Sequence, residues 1–354
     1  MGNNLLADGA LVCPTPHPAL DRVQLGHGSG GKLSAALLRE RFLPALGNPA
    51  LLQMGDAAVV SVGPAEIAIS TDTFVVQPLE FPGGNIGSLA VHGTLNDVAM
   101  MGARPRYLTA GFVLEEGLPF EVLGRVVDAM ARSAEAAGVP LVAGDTKVVE
   151  RGKADGLYVN TTGVGVLEPG FRPGPQRARA GDAVLVSGPI GRHGMAIMAA
   201  REGLAFESEI RSDSACLVPL VERLREALGS EVHVLRDPTR GGVASALNEI
   251  AAASGVGVEL EELAIPVPEA VLAACEMLGL DPLYVANEGV LIAVLPGPLA
   301  GAALAALRAH PLGTDAAVVG RIVTDHSGLV ALSTAIGGSR IVDLLPGDQL
   351  PRIC

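Results

Sequence analysis

The sequence predicts an α/β or α+β protein of two domains, and three observations carry that prediction. Strand-like alternation and helix-like amphipathic runs succeed one another from Asp21 onward. A Pro/Gly/Arg-rich stretch, EPGFRPGPQRARAG at 168–181, breaks that succession near the middle of the 354 residues. The packing residues are Ala, Val, Leu and Gly, with 49% hydrophobic but only 3% aromatic residues, which suits helices and strands in close approach. The domains expected are a loose Pro-rich extension (1–20), a first domain (21–168), a linker (169–181), a second domain (182–335) and a tail (336–354).

In the first domain, the glycine-rich stretch Leu25–Lys32 leads into an amphipathic run, Leu33–Phe42. Ala65–Ser70 alternates as a strand and ends in Thr71-Asp72-Thr73. A helix is expected over Asn85–Met101, stopped by Gly102 and Pro105. A strand (Tyr107–Val113), a helix (Phe120–Ala137), a short buried strand (Val139–Ala143) and a further strand (Leu157–Leu167) follow. In the second, strands are expected at Ala183–Ser187, Val232–Leu235, Val256–Leu260, Gly289–Leu295, Ala317–Ile322 and Gly328–Leu332. Helices are expected where Gly188–Gly194 opens one, at Ala215–Leu228, after Gly242, near Pro268–Met277 and at Leu299–Ala309.

Composition narrows the function. A net charge of −13 without a basic run argues against nucleic acid. No apolar run has the length of a membrane span, and the N-terminus lacks a secretory pattern. Cys13, Cys216, Cys275 and Cys354 are scattered without a CxxC, which fits a reducing cytoplasm. Cys216 and Cys275 fall in helical patterns and read as small buried hydrophobes.

Five aspartates recur beside small residues at expected element ends: Asp56, Asp72, Asp97, Asp145 and Asp237. One alone reads as a turn or cap; five together suit Mg²⁺ carrying substrate phosphates. The glycine loop satisfies GxGxxG through Gly26, Gly28 and Gly31, and nearly satisfies GxxxxGK[ST], failing at Leu33. It reads equally as an anion cradle and as a surface loop. Lys147 is either a mobile cation for a phosphate or an exposed lysine, and Glu288 is either a turn residue or a base near the metal. His27 and His193 sit in glycine-rich loops, as phosphate contacts or as solvated side chains. The tail ends on a thiol, and its apolar Val342, Leu344, Leu345, Leu350 and Ile353 suggest an arm that delivers sulfur. Fully extended it would span roughly 50–60 Å.

The segments GHGSGGK, MGDAAV, STDTFVVQPLEFPGGNIGSLAVHGTLNDVAMMGARP, AGDTKVV, RHGMAIM, RDPTRGG, ANEG and the terminal PRIC together resemble the HypE family of hydrogenase maturation carbamoyl dehydratases. The resemblance runs from about Leu25 to Cys354. It narrows the fold class to α+β, implying a PurM-like fold shared with aminoimidazole ribonucleotide synthetase, selenophosphate synthetase and thiamine-monophosphate kinase. It also implies a homodimer whose N-terminal sheets pair into a shared barrel, a C-terminal sheet flanked by helices, and a flexible tail. ATP and Mg²⁺ would bind between the domains. The Cys354 thiol would receive a carbamoyl group from the carbamoyltransferase HypF, be dehydrated to a thiocyanate, and pass cyanide to a HypC–HypD iron scaffold. Metal ligands would be Asp56, Asp72, Asp97 and Asp237. Nucleotide contacts would come from Gly28, Gly30, Gly31, Lys32, Gly144, Asp145 and Thr146. Glu288 would be the base, with Lys147 polarising the oxygen or relaying a proton. Gly55 precedes Asp56 where some relatives carry paired aspartates. The rival functions are another ATP-dependent phosphotransfer to a small molecule and a non-enzymatic cysteine-tailed scaffold.

Overall fold

The structure, a computed structural model, describes residues 22–28, 30–204, 209–345, 347, 350 and 352–354. The expected extension 1–20, with Cys13, and the tail residues Pro346 and Pro351 lie outside them. The N-terminal amphipathic run is one bent helical segment. It comprises α1 (Lys32–Leu37), a wider turn at Leu38–Phe42, and α2 (Leu43–Leu46).

The first sheet and its helices follow: β1 (Ala58–Val62), β2 (Ala65–Phe74), a small hairpin of β3 (Glu80–Phe81) and β4 (Gly84–Asn85), α3 (Ile86–Met100), β5 (Ala103–Glu115), α4 (Phe120–Ala137), β6 (Leu141–Val149) and β7 (Leu157–Leu167). The five long strands are ordered β1-β2-β7-β5-β6, antiparallel except for β5 beside β6. β1 and the small hairpin were not expected from sequence. The short buried strand expected at Val139–Ala143 is corrected. Val139 is buried, but Leu141 and Val142 are 41% and 56% exposed, because β6 is the sheet edge with one hydrogen-bonded neighbour.

α3 is buried on nearly every side, as expected for a helix apolar all round. Its start is fixed by reciprocal capping. Gly87 and Ser88 N–H donate to Asn85 Oδ1 (2.9 and 3.1 Å), while Asn85 N–H donates to Ser88 Oγ (3.1 Å). It lies against β2, β5 and β7 on one side and α4 on another. Gly165 of β7 permits that approach, since a Cβ there would stand 2.4 Å from Val98 Cγ1. α4 buries Val126, Met130 and Ala134, one stripe at i, i+4, i+8.

Residues 168–181 connect the two sheets without helix or strand, yet they are packed. Phe171 is 1% exposed, Gly174 N–H donates to His233 O (3.0 Å), and Arg172 pairs with Glu66 at 2.6 Å. Hydrophobic and ionic anchoring outweigh the breaker-rich composition.

The second domain comprises β8 (Asp182–Val186), α5 (Arg192–Glu202), α6 (Val218–Leu228), β9 (Val234–Arg236), α7 (Gly242–Ser254), β10 (Gly257–Glu261), α8 (Glu269–Leu278), β11 (Ile292–Pro296), α9 (Ala300–Arg308), β12 (Ala317–Val323), β13 (Val330–Ser333) and β14 (Ser339–Ile341). Its sheet runs β14-β13-β10-β12-β8-β11-β9, antiparallel except for β10 beside β13. Alternate residues of β8 and β11 serve opposite faces. Val184, Val186, Ile292 and Val294 share a core with α7, while Ala183, Leu185, Ala293 and Leu295 share one with α6 and α9. Two-sided burial explains why these strands read as continuous apolar runs. Cys216 precedes α6 instead of lying within it; Cys275 is buried in α8 as expected.

A third apolar core joins the domains. It combines Ile86 and Leu89 of α3 with Met195 and Ile197 of α5, and includes Leu350 and Ile353 of the tail. The tail is therefore seated in this structure, beginning with β14 beside β13. No helix among the described residues is long and apolar enough to cross a membrane.

Candidate functional site

Three carboxylates from three elements converge between the sheets. Asp56 precedes β1, Asp97 lies in the last turn of α3, and Asp237 follows β9 directly. Each offers an oxygen within 4.8 Å of the others. The expected placement at element ends needs revision for Asp72 and Asp145, which lie within β2 and β6. Asp72 is close enough to the cluster to raise the pKa of both Asp97 and Asp237. Asp145 stands apart on the exposed edge.

Such a cluster is electrostatically incomplete. Burial, then Asp237, Asp56 and Asp72, push Asp97 well above the ordinary carboxylate range, although Ser70 Oγ donates to it at 2.6 Å. Asp237 is pushed to about 6, mainly by burial, with Arg236 opposing. Asp56 is raised by burial despite Arg236 Nη1 at 2.7 Å. Three hard oxygens gathered in burial, with Arg236 set against one of them, fit Mg²⁺, which takes few protein carboxylates and retains positions for substrate oxygens.

Glu288 lies beside this group, 3% exposed. Its carboxyl is raised by burial first and then by Asp237, Asp72 and Asp213, against Arg240. Its N–H donates to Asp213 Oδ1 at 3.4 Å. The other Asp213 oxygen is buried without a hydrogen-bond partner.

Cys354 lines a cleft together with Arg240. The cleft is lined by Gly28, Gly30, Gly31, Arg240, Gly241 and Cys354, among others. Arg240 holds its proton more firmly than usual through attraction to Cys354 first, and to Asp72, Asp97 and Glu288, with burial opposing. Lys32 N–H donates to Leu345 O at 3.0 Å and its ammonium pairs with Asp343 at 2.7 Å, so this part of the glycine loop grips the tail. Gly31 adopts φ +87°, and a Cβ there would stand 2.6 Å from Leu345 O. The glycine loop thus leads into the bent helical segment that starts at Lys32.

Other sequence candidates fall elsewhere. Gly144, Asp145, Thr146 and Lys147 lie on exposed β6 and line no part of this cleft in the single chain. Lys147 pairs with Asp145 at 2.5 Å, both about 70% exposed at their side chains. His193 is no solvated phosphate contact: it is fully buried, lowered to about 4 chiefly by burial, and turned toward the tail. His27 is half-buried and its ring lies against Gln24. Arg236, Arg240 and Ser70 were missed. The arginines flank Asp237 in RDPTRGG, a signal that two cations accompany a buried carboxylate.

Comparison with known proteins agrees with this two-part architecture. The AIR synthase related protein N-terminal domain family matches residues 54–167, and its C-terminal domain family matches 179–332. Carbamoyl dehydratase HypE of Azotobacter vinelandii is 55% identical over 332 residues, 94% of this chain and 97% of that protein. The chain belongs to the HypE family. HypE of Escherichia coli K12 is 48% identical, covering 95% of this chain and all of its own. A crystal structure of HypE with ATP aligns with a TM-score of 0.79 at 50% identity, over 94% of this chain and 100% of that one. HypE in a HypE–HypF complex aligns at 0.83 and 48% identity, over 88% and 100%.

Proposed function

We propose that this HypE-family chain dehydrates a carbamoyl group carried on its own Cys354, using ATP. The observation that carries the reading is the cleft that Cys354 and Arg240 line together with Gly28, Gly30 and Gly31, with Arg240 drawn also to Asp72, Asp97 and Glu288. A terminal thiol without such neighbours would suit a scaffold. Here it stands where charge transfer to a phosphoryl group could be balanced.

The chemistry follows from leaving groups. An S-carbamoyl amide cannot expel hydroxide at neutral pH, whereas a phosphorylated oxygen can leave as phosphate. The carbamoyl oxygen attacks the γ-phosphorus of ATP and ADP departs; loss of both nitrogen protons and of phosphate leaves S–C≡N. Asp56, Asp97 and Asp237, with Asp72 nearby, would hold Mg²⁺, which neutralises phosphate charge and fixes its orientation. Glu288, with its raised pKa, is suited to accept a nitrogen proton. Arg240 balances negative charge beside the thiol. Gly28, Gly30 and Gly31 line the cleft as nucleotide contacts, with Lys32 at its edge.

Gly144, Asp145, Thr146 and Lys147 retain their proposed roles only if a second subunit brings them to a cleft. Pairing of two first-domain sheets in a homodimer would also cover the exposed β6 edge. The partners in this reading are a HypF-type carbamoyltransferase, as donor, and a HypC–HypD scaffold, as cyanide acceptor, in the cytoplasm.

Intact-protein mass spectrometry tests the proposal. Carbamoylated protein should lose one water from its C-terminal peptide on adding Mg–ATP. A mass insensitive to ATP contradicts dehydration. Unimpaired hydrogenase maturation by Cys354→Ala, with continued phosphorylation of a small acceptor, favours the kinase-like alternative.

A further inference from the structure

The final three residues are held from two sides. Val75 N–H donates to a Cys354 carboxylate oxygen at 3.0 Å, and Gln77 N–H donates to Arg352 O at 3.3 Å. Arg352 returns its Nε–H to Val75 O at 3.1 Å. These bonds lie just beyond β2, where Arg352 turns the tail with a left-handed backbone, φ +56°. The Ile353 carbonyl, between the two carbonyls held there, is taken up from the second domain.

His193 supplies that donor. Its Nε2 lies 3.0 Å from Ile353 O, and its Nδ1 lies 2.8 Å from Ser212 Oγ. A carbonyl only accepts, so Nε2 carries the hydrogen and Nδ1 accepts from the serine hydroxyl. Ser212 Oγ in turn accepts Ser214 N–H at 3.1 Å, and Ser212 N–H donates to Pro82 O at 2.8 Å. The imidazole packs edge-on against Phe81 with centroids 5.6 Å apart. Ser212 and Phe81 thereby orient the ring that meets the seated tail.

We propose that His193, oriented by Ser212, is a positioning residue that clamps the Ile353 carbonyl and so aims the Cys354 sulfur for dehydration. The sulfur is borne by the next residue, so the clamp acts two covalent steps from its backbone. The proposal rests on Cys354 being the carrier of the reacting group. His193 touches neither reacting atom and stays neutral throughout.

Full-length His193→Ala, His193→Gln and Ser212→Ala proteins test it with two readouts. The first is the rate at which carboxypeptidase removes Cys354 from ATP-free protein. The second is single-turnover water loss from carbamoylated protein at saturating ATP. Losing one net hydrogen bond should speed trimming and slow water loss by about fivefold in His193→Ala. His193→Gln keeps an N–H at the same reach and should recover to within about twofold of wild type. Ser212→Ala, which frees the tautomer, should fall between them. Trimming unchanged in His193→Ala, or a Gln variant no better than Ala, overturns the clamp. If His193→Ala does not fold, Gln must match wild type and Ser212→Ala must trim faster for the clamp to stand. Faster trimming in a protein whose wild type never loses water supports the clamp and rejects the dehydratase reading instead.

Discussion

Arg236 Nη1 stands 2.7 Å from Asp56 Oδ1, at the margin of the three-aspartate cluster, and its other nitrogen pairs with Glu249. The arginine side chain is 18% exposed and the aspartate 7%. This cation orients one prospective metal ligand without occupying the space among all three.

Removing Arg236 should therefore be more damaging than its surface position suggests. Arg236→Met leaves Asp56 buried and unpaired, a loss on the order of 3 kcal/mol. Chemical denaturation of metal-free protein should show it. Added Mg²⁺ should recover part of the loss, and equal loss with and without Mg²⁺ would disconnect Asp56 from the metal.

Asp97→Asn should lower ATP hydrolysis by about 100-fold or more, because a ligand for phosphate-neutralising charge is gone. Carbamoylation of Cys354 by the donor enzyme should persist. Phosphate release and peptide mass measure the two separately, and retained hydrolysis would discredit the assignment.

Glu288 makes a pH prediction. Only its ionised form accepts a proton, and its folded pKa is raised by burial. The acidic limb of single-turnover dehydration should therefore lie well above the ordinary glutamate pKa of about 4.3. Glu288→Gln should slow dehydration by about 10²–10⁴-fold. The stability sign is opposite. A raised carboxyl stabilises fully below its unfolded pKa and loses that contribution as pH rises through the folded value. The melting temperature of Glu288→Gln relative to wild type should climb with pH over that window. A constant difference would remove the raised carboxyl from the account.

Gly31→Ala should loosen the tail at Leu345. The substitution forces a left-handed backbone and a 2.6 Å approach to Leu345 O, at about 1–3 kcal/mol. Exchange of the Lys32 amide hydrogen should accelerate accordingly. Gly28→Ala, with nothing within 4 Å of the added carbon, is the contrast. Similar exchange in both would show that Gly31 has no special contact.

Much of the architecture was legible because periodicity reports burial directly. Phe120–Ala137 shows one helical stripe, and Leu157–Leu167 alternates so regularly that the observed strand has the same bounds. Residues 168–181 run between the two sheets without helix or strand; proline and glycine describe local backbone preference, so the distant partners of Phe171 and Arg172 were not legible there. Lys147 was placed near the nucleotide by adjacency to Asp145, yet both point from an exposed edge.

The sequence by itself determined the acidic residue types, the two domains and a chain ending in a thiol. It could not determine which aspartates meet. Asp56, Asp97 and Asp237 are separated by whole elements and converge only when α3 docks between the sheets, a consequence of long-range packing. Nor could it show His193 facing Ile353. The tail at Cys354 was visible as an apolar arm; tertiary structure decided its seat. Leu350 and Ile353 enter the interdomain core, and the carbonyls of Arg352, Ile353 and Cys354 find donors on both domains.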